Sequence, residues 1–234
     1  MSARRNPLPA HRQAANGRGR TDQLQILPER MSATPARRLR MAATGAALAG
    51  LLAIAGCAAF GKVVDVYDLG APKSFPGLRQ GTHAQLLVLE PSALKSLDAG
   101  EIVVKTSPTQ IEYLARSQWP DRLPKVVQAR IVEAFENTGR VRAVAKPGEG
   151  LVIDYQIVTD IRAFEAEIGA GLQDARVILS VKLVSDRTGK VVRTRVFEAS
   201  VPLDSTASTA VVNGLNAAFD QIARDIVFWV LKAV

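Results

Sequence analysis

The chain has 234 residues, 30 basic and 22 acidic side chains, a formal net charge of +8 and a single cysteine. Nine of the basic and two of the acidic residues precede Cys57, so residues 57–234 hold 21 against 20 and carry about +1. That balance lacks the footprint of a nucleic-acid-binding protein, and one cysteine excludes an internal disulfide framework and multi-cysteine metal sites.

Residues 1–30 are rich in Arg, Asn, Pro and Gln and read as a non-native or disordered N-terminal extension, with translation expected to start at Met31. Mass spectrometry of the precursor checks this start; a peptide from upstream of Met31 overturns it. Arg37, Arg38 and Arg40 then precede the uncharged run "MAATGAALAGLLAIAG" at 41–56. The run is shorter than the roughly 20 apolar residues of a membrane span. It suits a signal-peptide h-region, about 7–15 apolar residues behind a positive n-region. Residues 31–56 are therefore read as a 26-residue signal peptide.

The run ends in Ile54-Ala55-Gly56-Cys57. A free cysteine packs as a small hydrophobe, so a buried thiol is one reading of Cys57 and an uncleaved anchor helix another. In this setting the four residues resemble the bacterial lipoprotein signal, with Ile54, Ala55 and Gly56 as the cleavage motif. That resemblance implies a diacylglyceryl group on the Cys57 thiol, cleavage before Cys57, and acylation of the new amino group. Each buried CH₂ contributes about 0.8 kcal/mol and a single chain binds marginally; two or three chains hold without a spanning helix. Ala58, rather than Asp, follows the cysteine. By the same resemblance this favours export to the outer membrane of a Gram-negative cell, facing the periplasm. Residues 57–64 read as a lipidated tether.

Residues 65–234 read as one domain. Val63 to Leu69 is expected as a first strand, 70–83 as a loop and 84–94 as a buried strand. Residues 101–114 read as a strand pair or a bent strand about Ser107-Pro108. Pro120 to Asn137 has apolar residues at helical spacing, from Leu123 to Phe135, and Asn137-Thr138-Gly139 stops it. Val141–Ala145 is a short strand. A period of two from Leu151 to about Phe164 predicts another. Residues 167–174 read as a turn, followed by strands at 176–185 and 191–201 joined through Asp186-Arg187-Thr188-Gly189. A long amphipathic helix spans 208–231. Strands in a run with one helix early and one late predict an α+β fold, a mostly antiparallel sheet with two main helices on one face.

Catalytic chemistry is hard to assemble from these residues. His83 is the one histidine after Cys57 and lies in an expected loop. The glycines at 148–150 and 169–171 are turn glycines rather than a phosphate-binding fingerprint, and there is no nucleophile elbow. Glu165 with Glu167, or Asp154 with Asp160, could act as carboxylate pairs, but a solvated strand edge explains them better. Tyr113 and Trp119 could gate a ligand, but Trp119, just before the helix, reads better as a packing anchor. Neither a catalytic residue, a metal nor a cofactor is expected beyond the lipid on Cys57.

The lipobox, "VDVYDLGAP" at 64–72 and "IEYLARSQWPDRLPKVVQARIVEAF" at 111–135 resemble the ABC-type transport auxiliary lipoproteins. Tyr67-Asp68-Leu69, Tyr113, Trp119 and the C-terminal helix ending near Trp229 carry the likeness; Pro120 stands where the family usually has Ala. The resemblance implies a docking role beside an Mce-domain periplasmic protein with its ABC permease and ATPase, in intermembrane lipid transport of the paraquat-inducible operon type. It leaves homo-oligomerisation open. The alternative is a lipoprotein that assists assembly or stability of an outer-membrane β-barrel or envelope complex. A periplasmic hydrolase is a third reading.

Overall fold

The computed structural model describes residues 63–169 and 171–234; the readings at Ile54, Ala55, Gly56 and Cys57, and of the whole leader, lie outside the described residues. In chain order the elements are β1 (Asp65–Val66), β2 (Thr82–Val88), β3 (Ser92–Ala93), β4 (Glu101–Ser107) and β5 (Gln110–Gln118). Helix α1 (Leu123–Asn137), β6 (Val141–Ala145), β7 (Tyr155–Gly169), β8 (Leu172–Ser185), β9 (Val191–Pro202) and α2 (Ser208–Leu231) complete the order.

Strand β7 organises the sheet. Along one edge it pairs antiparallel with β8 from Tyr155 opposite Ser185 to Gly169 opposite Leu172, and β9 extends that side. Its other edge is shared end to end by β2, β3 and β4, all parallel to it. Beyond these, β6 lies beside β2, β5 is antiparallel to β4, and β1 lies parallel to β5 at Ser117 and Gln118. The result is the expected α+β domain, with a mixed, mostly antiparallel sheet and two helices packed against it.

The period-two pattern explains why these strands seat the helices. In β8, Val177, Leu179, Val181 and Leu183 are fully buried. In β7, Ile157, Thr159 and Ile161 face the same core. A register shift between Ile161 and Ala163 then moves the inward set to Phe164 and Ala166; a β-bulge inserts one residue and re-aims the side chains beyond it. Helix α1 buries Leu123, Val127, Ile131 and Phe135, and α2 buries Val211, Leu215, Phe219, Ile222, Ile226 and Val230. Gly214 brings α2 close to the sheet, since a Cβ there would stand 2.9 Å from the Ala175 Cβ and 2.3 Å from Leu203 Cδ2. The buried Gln128 amide of α1 donates to the Val88 carbonyl at 2.9 Å, which satisfies a polar group inside the core.

Several element bounds differ from the sequence expectation. The first strand keeps only Asp65–Val66, because after Tyr67 the chain leaves the sheet for the helices. The run 84–94 splits into β2 and β3 across Pro91, which has no N–H to give a ladder. Leu151 and Val152 are exposed and β7 begins at Tyr155. The expected turn at 167–174 is mostly strand, since the β7–β8 ladder persists to Gly169 and Leu172. Helix α1 begins at Leu123 rather than Pro120, with Arg122 still extended at φ −54 and ψ 134; Pro124 sits in the first turn, where a missing N–H costs nothing.

Candidate functional site

The segment after β1 is a strap across the helices. Leu69 is fully buried, Pro72 and Leu78 are buried, and Tyr67 is half-buried against the core. Polar side chains from both helices hold the strap down. Arg130 of α1 donates from Nη2 to both carboxylate oxygens of Asp68, and the Asn137 amide of α1 donates to the Pro72 carbonyl at 3.0 Å. From α2, Asn216 accepts the Gly70 N–H at 2.6 Å and donates to the Asp68 carbonyl at 3.2 Å. Arg224, braced by Asp220, donates to the Ser74 carbonyl. Of the residues at 70–83 expected as a loop, Gly70, Pro72 and Ser74 are thus tied to the helices, while Thr82 and His83 belong to β2. Asn216, Asp220 and Arg224 recur at four-residue spacing on the polar side of α2, the periodicity of one helix face; that spacing marks the face but not the segment it holds.

Trp119 is buried just after β5, its backbone N–H donating to the Gly100 carbonyl at 2.7 Å and its ring meeting Phe164 edge to face. Phe164 in turn leans on Phe219 of α2, and Trp229 meets Phe197 of β9 edge to face. Tyr113 lies opposite Val103 and is half exposed, on the sheet face turned away from the helices. Tyr67, Leu69, Tyr113 and Trp119 do not converge on one cavity. Two line the strap, one closes the core and one stands on the open face.

The candidate carboxylates are engaged elsewhere. Glu165 and Glu167 face away from the helices in mid-sheet, each 3.5 Å from Lys105 Nζ. Glu167 also pairs with Arg176, which reaches Glu198 on β9. These neighbours hold the Arg176 guanidinium above its ordinary pKa, with the Glu198 hydrogen bond the largest cause. The expected solvated edge is therefore a charge ladder across β4, β7, β8 and β9, balanced rather than poised for acid–base work. Asp154 accepts the Gln85 N–H and Asp160 accepts the Ser92 hydroxyl, at 2.8 and 2.9 Å. His83 is exposed beside a polar hollow lined by Arg142, Asp154, Tyr155 and Arg187. Among the described residues no cluster of three or more His, Cys, Asp or Glu could hold a metal ion. No described helix is long and apolar enough to cross a membrane.

Residues 67–227 match the family model described as ABC-type transport auxiliary lipoprotein component. A Bradyrhizobium diazoefficiens protein is 33% identical over 190 residues, which cover 80% of this chain and 50% of the relative; the chain spans about half the length of that relative. The crystal structure of a Xanthomonas campestris protein superimposes with a TM-score of 0.68 at 27% identity, over 73% of this chain and 96% of that one. A further crystal structure shares the fold at a TM-score of 0.57 and 14% identity. With the strap, strands β2 to β9, helix α1 and most of α2 inside the matched span, the chain belongs to the ABC-type transport auxiliary lipoprotein component family.

Proposed function

We propose that this chain is the outer-membrane docking subunit of an ABC-driven, Mce-type intermembrane lipid transport system, held by acyl chains on Cys57 and facing the periplasm. The observation that carries the reading is the family match over residues 67–227, behind an Arg-rich leader that ends in Ile54-Ala55-Gly56-Cys57. The engaged carboxylates and the absence of a metal-holding cluster among the described residues fit a subunit that works by binding. Permease and ATPase partners would supply the energy, and an Mce-domain protein would meet this subunit across the periplasm.

The test is affinity purification from detergent-solubilised membranes with the lipidated protein as bait, and identification of the co-purifying proteins by mass spectrometry. Recovery of an Mce-domain protein supports docking. Recovery of an outer-membrane β-barrel alone transfers the assignment to envelope assembly. The anchor is tested separately with Cys57→Ser, which is expected to fold and to leave the membrane fraction. Its retention in the outer membrane would remove the lipid-anchor part of the reading.

A further inference from the structure

The two ends of the sheet differ chemically. One end carries the β4–β5 and β7–β8 turns side by side, and from Ser107 to Ile111 and from Ile168 to Gln173 no residue is charged. Ile111 and Leu172 are 46% and 53% exposed there, and a hollow of about 160 Å³ between the turns is lined by Pro108, Ile168 and Leu172. At the base of the tips Lys105, paired with Glu167, and Asp174 lie abreast of Ile111, and Asp204 follows Pro202, the partner of Asp174. The other end carries Asp186, Arg187 and Lys190 in and beside the β8–β9 turn.

The chain enters from the uncharged end. Strand β1 runs parallel to β5 with Asp65 opposite Ser117, so Val63, two residues earlier, comes in near the level of Ala115. Cys57 precedes Val63 by six residues, a reach of at most about 20 Å whatever the conformation. Six residues back along β5, also about 20 Å, is Thr109 at the tip of the β4–β5 turn. In the opposite direction, Val63 is near the level of Ala163, because Tyr113, Val103 and Glu165 lie abreast. From there the β8–β9 turn is on the order of 35 Å away, beyond the reach of Cys57.

On the reading of Cys57 as the acylated residue, we propose that the β4–β5 and β7–β8 hairpin tips rest in the headgroup layer of the anchoring membrane. Pro108, Ile111 and Leu172 meet the lipid surface there. The charged β8–β9 turn points away from the membrane, towards soluble partners. Two hairpin tips without charge, at 107–111 and 168–173, suit an interface where apolar side chains dip into the headgroup boundary; the charged β8–β9 turn does not.

The test uses the full lipidated chain in vesicles of phosphatidylethanolamine and phosphatidylglycerol, with and without lipid spin-labelled at its headgroup. An acylated Cys57 leaves no free thiol, so Thr109→Cys, Leu172→Cys and Thr188→Cys each offer one site for a bimane fluorophore. Flotation is read first, and protein that fails to float overturns the anchor at Cys57 itself. In floating protein, the probes at 109 and 172 are expected to lose most of their emission to the spin label, while the probe at 188 keeps its own. Equal loss at all three positions, loss at 188 alone, or no loss at the tips overturns the orientation while leaving the anchor intact.

Discussion

Arg130 on α1 grips Asp68 on the strap with one nitrogen, Nη2, donating to Oδ1 at 2.9 Å and to Oδ2 at 2.8 Å. Its Nη1 holds Glu133, one turn along the same helix. The Asp68 hydrogen bond is the largest cause of the raised Arg130 pKa. A folded-state pKa raised above the ordinary guanidinium value gives a contribution that is complete below that value and is lost only in strong alkali. The guanidinium itself therefore adds no pH dependence near neutrality.

The first prediction concerns that pair. The Asp68 side chain is 63% exposed and that of Arg130 26%, so solvent screens the attraction. A double-mutant cycle with Asp68→Ala and Arg130→Ala should give a coupling of about 0.2–1 kcal/mol in urea denaturation. The Arg130 change should cost more than the Asp68 change, because it also releases Glu133. Zero coupling would mean that Asn137, Asn216 and Arg224 hold the strap without help from this pair.

Trp119 and Phe164 supply the second prediction. Their ring centroids are 5.8 Å apart at 88°, an arrangement that contributes roughly 0.5–1.5 kcal/mol beyond burial, and Trp119 is only 2% exposed. Trp119→Ala should cost about 3–5 kcal/mol and Trp119→Phe distinctly less, read from urea midpoints at unchanged m. A cost within experimental error for the alanine variant would contradict the burial of the ring.

Much of this core was legible because burial imposes a period. The apolar spacing from Leu123 to Phe135 marked α1, that from Val211 to Val230 marked α2, and alternation marked β8. The strap was not legible. Its hold depends on Arg130, Asn216 and Arg224, residues 60 to 150 positions away from their partners, and periodicity carries no information at that range. Nor does periodicity report which strands pair: the parallel alignment of β2, β3 and β4 along β7 is set by tertiary packing. Glu165 and Glu167 were legible as sharing one strand face, but Lys105 and Arg176, which neutralise them, come from other strands.

Gly169 supplies the third prediction. At φ +152 it lies so close to β4 that a Cβ would stand 2.3 Å from the Thr106 carbonyl oxygen. That neighbour is backbone and cannot rotate away. Gly171, at φ +84, has open space around its Cβ position, so a side chain there meets only the left-handed backbone penalty of roughly 1–2 kcal/mol. Gly169→Ala should lower Tm more than Gly171→Ala, and it should loosen the β4–β7 contact in hydrogen exchange at Lys105 and Glu167. The reverse order of Tm values would show that the two strands can part at this point at little cost.

The last prediction is a pH dependence at the start of α1. Asp121 accepts the Arg122 N–H at 2.7 Å, and its Oδ2 lies 3.4 Å from Lys125 Nζ, one turn along. Its pKa is lowered from the ordinary 3.8, chiefly by that backbone hydrogen bond, with Lys125 and Arg122 helping and burial opposing. A carboxylate with a lowered folded-state pKa stabilises the fold above its unfolded value, and the benefit is lost as pH falls through the folded value. Asp121→Asn keeps an acceptor for the Arg122 N–H but removes the charge. The native chain should therefore melt slightly higher than the variant at neutral pH, and the two curves should converge in acid below the lowered pKa. A difference that stays constant down to that pH would assign the effect to hydrogen-bond geometry rather than to charge, and a difference of opposite sign would contradict the lowered pKa.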